Sequence, residues 1–241
     1  MARLEISYDG TDYFGYARQP DVRTIQGELE KALAVVFQMP IETAVAGRTD
    51  AGVHARRQVV SFDAPVPIYE RRVVGRLNRI LEPDMVVLTA SDTEPGFHAR
   101  FSAKSRTYRY RILNSSLRDP LLRRTHWHVP TPLDVGAMNE AVSHLIGQHD
   151  FTSFCRKAED TARERTVLEA EWERTDHVVQ LSITAKAFCH QMVRSIVALC
   201  VDVGTAKKAA ADAPKILAAR DRNVASGAAP PEGLTLWCVD Y

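Results

Sequence analysis

The chain has 241 residues, a hydrophobic content of 45% and a formal net charge of +1, which is enough for one large domain or two small ones with a sizeable core. The near-neutral charge excludes a nonspecific polycation. No basic stretch followed by an apolar one opens the chain, and residues 187–203, its longest apolar run, are interrupted by His190, Gln191 and Arg194. We therefore expect a soluble, cytoplasmic protein with neither a secretory signal nor a membrane span.

The N-terminal segment predicts a strand, a loop and a helix. Residues 4, 6 and 8 are apolar or aromatic and alternate with polar ones, as in a half-buried strand. The loop at residues 13–20 places three aromatic side chains beside Arg18. Such side chains stack on nucleotides in RNA-binding proteins, although tyrosines that pack over a sheet edge are commoner. Thr24 can cap the next helix. Its inward positions are Ile25, Leu29, Leu33 and Val36.

The stretch GRTDAGVHA at residues 47–55 combines an arginine, a carboxylate and a histidine with two glycines. It lies between two strand-like runs, residues 41–46 and 58–63, and is therefore predicted to form a loop. Glycines allow such a loop to turn tightly, which would place Asp50 within reach of a substrate. Composition alone favours a simpler interpretation, in which Asp50 stabilises a turn through its own backbone.

The next two predicted elements are a helix and a strand. A helix with Val73, Leu77 and Ile80 on its inner face ends before Pro83, and residues 85–90 read as a strand. Strand, helix, strand, strand, helix, strand is the order of a ferredoxin-like unit. From residue 125 the same order returns. Its elements are a strand at 126–129, a helix at 135–146, strands at 166–174 and 178–184, a helix at 188–203 and a strand at 235–239.

These elements predict an α+β fold made of two ferredoxin-like halves. Residues 1–104 form the first half, which carries the Asp50 loop, and residues 125–241 form the second. We expect their sheets to join into one continuous, mostly antiparallel sheet with helices on one side. No residue-level repeat supports the pairing of the halves, which rests on the order of elements alone.

Residues 105–124 form a connecting strand and a basic segment. In the run SRTYRYRIL, at residues 105–113, Tyr108 and Tyr110 point to one face of a strand while Arg109 and Arg111 point to the other. Residues 100–124 contain eight basic residues and one acidic residue, a net charge of +7. A basic surface on a near-neutral protein is what a polyanion-binding face requires. Composition alone does not favour it over a solvated strand face.

The helix that carries Arg194 is apolar in nearly every direction, so it is expected to be buried on most sides. A cation on such a helix needs a carboxylate partner. Asp50 is one candidate, because a nearby guanidinium would keep that carboxylate ionised for nucleophilic attack. The alternatives are that Arg194 reaches solvent from the helix end or pairs with Asp202 or Glu171.

Other chemical motifs are not supported. The sequence contains no phosphate-loop, serine-hydrolase, zincin or dinucleotide-binding string. The four cysteines, which are Cys155, Cys189, Cys200 and Cys238, lie far apart, so neither a zinc site nor a disulfide framework is indicated and reduced, buried thiols are expected. His126 and His128 share a strand face, but no third ligand is spaced nearby for a metal.

Seven stretches resemble tRNA pseudouridine synthase A over almost the whole chain and in the same order. They are LEISYDGTDYFGYARQP, RTIQGELEKAL, GRTDAGVHA, FHARFSAKSRTYRYRI, HDFTSF, AFCHQMVRSIV and APPEGLTLWCVDY. The chain departs from that family in the first loop, where Tyr16 and Ala17 stand in place of the usual tryptophan and glutamine.

The resemblance implies a residue set and a reaction. Asp50 would be the nucleophile, Arg48 would help to displace the target base, Tyr108 would face the flipped uracil, and Arg194 would pair with Asp50. The implied reaction isomerises uridine to pseudouridine in the anticodon stem-loop of tRNA, at tRNA positions 38, 39 and 40. It needs neither a metal nor an organic cofactor. The family also implies a homodimer that binds tRNA across both subunits.

Two other function classes remain open at this point. One is a synthase-like tRNA-binding protein that has lost activity; the complete set of Arg48, Asp50, Tyr108 and Arg194 argues against it. The other is a metal-dependent RNA hydrolase built on Asp50, His54 and His98. Activity in EDTA and a product of unchanged mass would exclude the hydrolase.

Overall fold

A computed structural model of the chain describes residues 1–156 and 163–241. The chain forms two compact units. Unit 1 comprises Met1–Lys104 together with Thr235–Tyr241, and unit 2 comprises Ser105–Leu234. Within the described residues, no helix has the length and apolar character needed to cross a membrane.

Unit 1 has the strand order of a ferredoxin-like sheet. Its elements are β1 (Ala2–Tyr8), α1 (Ile25–Phe37), β2 (Ala44–Val45), β3 (His54–Phe62), α2 (Glu70–Ile80), β4 (Met85–Asp92) and the C-terminal β10 (Leu234–Asp240). β1 lies between β4 and β3 and is antiparallel to both. β2 pairs antiparallel with β3, and β10 pairs parallel with β3 through Thr235 and Leu236. The predicted order of the first half is confirmed.

The predicted patterning explains how unit 1 is packed. Leu4, Ile6 and Tyr8 are buried. The Thr24 side chain accepts a hydrogen bond from the Gly27 N–H and caps α1 as expected. Two details differ from the prediction. β2 covers two residues rather than six, and Ile80 is 43% exposed because it lies in the last turn of α2, beyond the buried Val73 and Leu77.

Unit 2 contains an antiparallel sheet and three α-helices among its described residues. Its elements are β5 (Ser105–Leu113), β6 (Trp127–His128), α3 (Val135–Ser143), β7 (Gly147–Asp150), β8 (Glu164–Thr175), β9 (Val178–Ala185), α4 (Met192–Gly204) and α5 (Asp212–Ala219). β9 lies between β5 and β8, and β7 pairs with β8. The α+β class and the mostly antiparallel pairing are confirmed.

β5 is a full member of this sheet. It pairs with β9 along residues 106–113, whereas β6 adds only a two-residue parallel ladder to the end of β5. The predicted division of its faces is confirmed: Tyr108, Tyr110 and Ile112 are buried, while Thr107 and Arg109 are partly exposed. β7 has no apolar alternation and was not predicted.

α4 is buried on most sides, as its composition predicts. It begins at Met192 rather than at residue 188. The difference has a local cause, since Gln191 adopts a left-handed conformation with φ of 64°, which a continuous right-handed helix excludes.

The prediction that all four cysteines are reduced is wrong. Cys155 and Cys189 form a disulfide with their Cα atoms 5.7 Å apart. The Arg156 N–H donates to the His190 carbonyl at 2.9 Å, so the backbone brings together two segments that are 34 residues apart in sequence. Spacing alone does not reveal such a pair. Cys200 is a free thiol, and burial raises its pKa to about 12.

An asparagine joins α3 to the sheet of unit 2. The Asn139 side chain donates to the Trp172 carbonyl at 2.9 Å and accepts the Trp172 N–H at 2.8 Å. One side chain therefore satisfies both backbone groups of a residue in β8, in the manner of a neighbouring strand.

Replacing this amide should destabilise the protein. We expect Asn139→Ala to lower the free energy of unfolding by about 1–3 kcal/mol, because two backbone groups lose their partners. The measurement is the urea midpoint of unfolding, with the neighbour Glu140→Ala as the control. Equal midpoints for the two variants would contradict this role.

Candidate active site

The loop between β2 and β3 presents its side chains in alternation. Arg48 is exposed, Thr49 is buried and Asp50 is partly exposed. The Asp50 carbonyl accepts the Val53 N–H at 3.2 Å, and Gly52 has a φ of +76°, which closes the turn. The loop thus directs an arginine and a carboxylate outward while the residue between them anchors it.

Buried polar side chains of β1 and β3 hold this loop through hydrogen bonds. The Tyr8 hydroxyl and the Thr49 hydroxyl are 2.8 Å apart, and the fully buried Gln58 amide donates to the Gly47 carbonyl at 2.7 Å. Burial raises the pKa of the Tyr8 phenol to about 12, so Tyr8 keeps its proton at neutral pH. The side chains of two neighbouring strands, β1 and β3, therefore fix the backbone on either side of Arg48.

The loop after β1 packs on the other side of the Asp50 loop. The Tyr16 N–H donates to the Thr49 carbonyl at 3.0 Å. Gly15 has a φ of +93°, and a Cβ there would lie 3.2 Å from the Thr49 carbonyl oxygen and 3.3 Å from the Ala51 nitrogen. Close approach of the two backbones therefore requires glycine at position 15.

The tyrosines of this first loop are structural. Tyr13 and Tyr16 are buried, and the Tyr13 hydroxyl donates to Asp84 at 2.7 Å, where Arg23 also binds. The packing interpretation is therefore confirmed for both tyrosines, whereas Phe14 is exposed. Because Tyr16 is only 1% exposed, its ring is not available to stack on a nucleotide.

The two histidines of the hydrolase alternative each use Nδ1 as an acceptor. His54 accepts the Gly10 N–H at 3.1 Å, and its Nδ1 also lies 3.1 Å from Asp9. His98 accepts the Arg100 N–H at 3.1 Å. Across residues 1–156 and 163–241, no three His, Cys, Asp or Glu side chains form a group that could hold a metal ion.

Tyr108 lies on the buried face of β5 in unit 2. It is 7% exposed, and its ring packs edge-on against Phe188, with the centroids 5.0 Å apart. Phe188 directly precedes the disulfide-bonded Cys189. The disulfide thus restrains the chain next to the ring on which Tyr108 rests. Sequence reasoning missed Phe188, which offered no motif other than an aromatic residue near Arg194.

Arg194 lies in the first turn of α4 and is tied to the same face of β5. Its Nε donates to the Ala229 carbonyl at 2.7 Å, and its own carbonyl accepts the Ala229 N–H at 2.9 Å. The next carbonyl, that of Pro230, accepts the Tyr110 hydroxyl at 2.8 Å. Burial and the charge of Glu232 raise the pKa of Tyr110, while the charge of Arg194 opposes that shift.

Unit 2 therefore links Arg194 to the strand that carries Tyr108. Tyr110, two residues from Tyr108 on the same strand face, links to Arg194 through the segment at Ala229 and Pro230. Arg48 and Asp50 lie together on the loop of unit 1.

Comparison with known proteins assigns this chain to a family. The family model described as tRNA pseudouridine synthase matches residues 5–102 and 141–241. The chain belongs to the tRNA pseudouridine synthase family. Arg48, Asp50 and Arg194 lie within the matched residues of this family, and Tyr108 lies between the two ranges.

Relatives in the family match nearly the full chain. The tRNA pseudouridine synthase A of Halalkalibacterium halodurans is 45% identical, over 96% of this chain and 89% of that protein. The proteins of the same name from Bacillus licheniformis and Bacillus subtilis are 44% and 43% identical, each over 99% of this chain and 98% of the relative.

A methyl group at Gly15 should displace the Asp50 loop. We expect Gly15→Ala to reduce pseudouridine synthase activity by roughly tenfold, because the Asp50 loop must give way to the new Cβ and catalysis depends steeply on the position of a reacting group. Gly96→Ala is the matched control: Gly96 also has a positive φ, +84°, but open space surrounds its Cβ position. Activity on tRNA and urea midpoints are measured for both variants. Equal activity losses would contradict the positioning role.

Proposed function

We propose that this chain isomerises uridine to pseudouridine in the anticodon stem-loop of tRNA, at positions 38, 39 and 40, with Asp50 as the nucleophile. The observation that carries the proposal is a partly exposed carboxylate on a loop that buried polar groups hold on both sides. Family membership supports the reaction class.

The reaction exchanges one bond to the ribose for another. Asp50 attacks the nucleotide at either the base or the sugar and forms a transient bond to it, and the bond between N1 of uracil and C1′ of ribose breaks. The transient bond to Asp50 breaks again before the product leaves, so the carboxylate is regenerated. The uracil rotates and C5 forms the new bond to C1′. C5 loses a proton and N1 gains one, so nothing is oxidised, reduced or hydrolysed overall. This balance requires no metal and no organic cofactor, and none is proposed.

The other proposed site residues act on the Asp50 carboxylate or on the target uracil. Arg194 would pair with Asp50, since a guanidinium favours the ionised form of a carboxylate. Tyr108 would face the extruded uracil by stacking on it, by donating a hydrogen bond or by removing a proton. Its contact with Phe188 supports a fixed ring position. Arg48, which is exposed beside Asp50, would help to displace the target base.

The free-energy cost of extruding the target base must be offset by contacts between the protein and other parts of the tRNA. Taking a paired base out of a stem costs on the order of a few kcal/mol. The net charge of +7 across residues 100–124 supports phosphate contacts as the compensating interaction. We also propose that the protein is a cytoplasmic homodimer that binds tRNA across both subunits, on the strength of its family.

Two alternatives can be weighed against this proposal. An inactive tRNA-binding homologue would have no need for the complete set of Arg48, Asp50, Tyr108 and Arg194. A metal-dependent hydrolase would need Asp50, His54 and His98 to meet at one ion, and no three His, Cys, Asp or Glu side chains in residues 1–156 and 163–241 form such a group. The synthase is therefore the better-supported function.

The function is tested with unmodified tRNA transcripts in EDTA. We expect pseudouridine at positions 38, 39 and 40 wherever uridine occupies them, with product and substrate of equal mass. Transcripts with cytidine at these three positions are the matched control and should acquire none. Pseudouridine at other positions would refute the proposed target, and chain cleavage would favour the hydrolase.

A further inference from the structure

Phe101 is a large aromatic side chain that the fold leaves 75% exposed. It belongs to the turn between β4 and β5, at residues 98–102, within unit 1. The proposed chemistry assigns it no role. An exposed phenyl ring offers apolar surface that a ligand could remove from water.

Hydrogen bonds fix the turn that carries the ring. The His98 N–H donates to the Ser102 hydroxyl at 3.0 Å, and the Ser102 N–H donates to the His98 carbonyl at 2.9 Å. Nδ1 of His98 accepts the Arg100 and Phe101 N–H groups at 3.1 and 3.4 Å. The backbone at Phe101 is thus held by the turn itself.

The turn is also anchored to the core of unit 1. Ala99 is fully buried; its N–H donates to the Ser61 hydroxyl on β3 at 3.0 Å, and its carbonyl accepts the Tyr241 hydroxyl at 2.7 Å. Phe101 therefore projects from a backbone that the sheet holds in place, so binding of a ligand to the ring requires no ordering of the turn.

A cation and a second aromatic ring lie beside Phe101. The Arg100 guanidinium carbon lies 5.5 Å from the Phe101 ring centroid, and the His98 ring lies 4.4 Å away at a tilt of 36°. Arg100 and Lys104 are exposed, and residues 95–118 contain no acidic residue. An aromatic ring beside cations is the combination that binds single-stranded nucleic acid, because bases stack on the ring while cations neutralise phosphates.

We propose that Phe101 is a stacking platform for an unpaired base of the substrate tRNA, with Arg100 and Lys104 on the flanking phosphates. The inference rests on the proposed function and adds a contact outside the reacting uridine. Stacking tolerates any base, so Phe101 contributes affinity for tRNA without selecting a sequence.

A nucleobase suits this ring better than a partner protein. Protein-binding hot spots lie in well-packed pockets that neighbouring contacts shield from water. Phe101 instead rises between the exposed Arg100 and Ser102. A protein contact at Phe101 is one of the outcomes that the experiment separates.

The experiment compares variants of Phe101 in binding to an unmodified tRNA transcript and in pseudouridine formation on the same transcript. We expect Phe101→Ala to raise the Kd and KM about tenfold, equivalent to ~1.4 kcal/mol, with kcat unchanged at saturating tRNA. Phe101→Trp should stay close to the intact protein, whereas Phe101→Leu should resemble Phe101→Ala because it lacks a flat ring. Tyr69→Ala, which removes another aromatic side chain of unit 1 that is 70% exposed, is the matched control and should bind normally.

The outcomes separate this inference from the proposed function. If the intact protein forms pseudouridine while Phe101→Ala binds tRNA normally, the stacking platform is refuted and the function stands. The stacking platform is likewise refuted if Phe101→Leu binds tRNA like the intact protein, or if Tyr69→Ala weakens tRNA binding as much as Phe101→Ala does. It is also refuted if Phe101→Ala binds tRNA normally but changes the oligomeric mass measured by sedimentation, which would indicate a protein contact. If the intact protein forms no pseudouridine, the function fails, and the Kd values still decide whether Phe101 binds RNA.

Discussion

The contact between the buried hydroxyls of Tyr8 and Thr49 is the interaction on which the candidate site depends. Both groups are removed from water, so each needs its partner. Gln58 completes the cluster by binding the Gly47 carbonyl. Because these anchors lie within two neighbouring strands, the loop can expose Arg48 and Asp50 while its backbone stays fixed. A carboxylate that reacts with a large substrate requires this combination of access and position.

In unit 2, other contacts likewise fix the positions of the proposed site residues. Tyr108 rests on Phe188, next to a disulfide, and Arg194 is bound to the chain at Ala229 through both its side chain and its backbone. Tyr110 connects the strand to that segment through Pro230. Rigid elements thus hold both proposed binding residues. The disulfide adds a covalent restraint beside them, which reduction would remove.

Much of this arrangement was predictable because it follows local rules. The alternation of β1 and β5, the Thr24 cap and the enclosure of α4 arise from side-chain periodicity and short-range hydrogen bonds. The disulfide, the place of Phe188 and the support of the loop by Tyr8 depend on residues far apart in sequence, which no local pattern reports. β7 and the start of α4 were missed for a related reason, since polar residues and a left-handed Gln191 override periodicity there. The pairing of Asp50 with Arg194 stays a prediction.

The most direct test of a reaction centred on Asp50 is tritium release from tRNA that carries 5-tritiated uridine, with the intact protein and Asp50→Ala compared in EDTA. C5 must lose its hydrogen when it becomes bonded to the ribose, so every isomerisation releases the label. Asp63→Ala removes an exposed carboxylate at the end of β3 and serves as the control. We predict release by the intact protein and the control, and none by Asp50→Ala, which should still bind tRNA. Undiminished release by Asp50→Ala, or no release by any of the three, would contradict the role of Asp50 as the nucleophile.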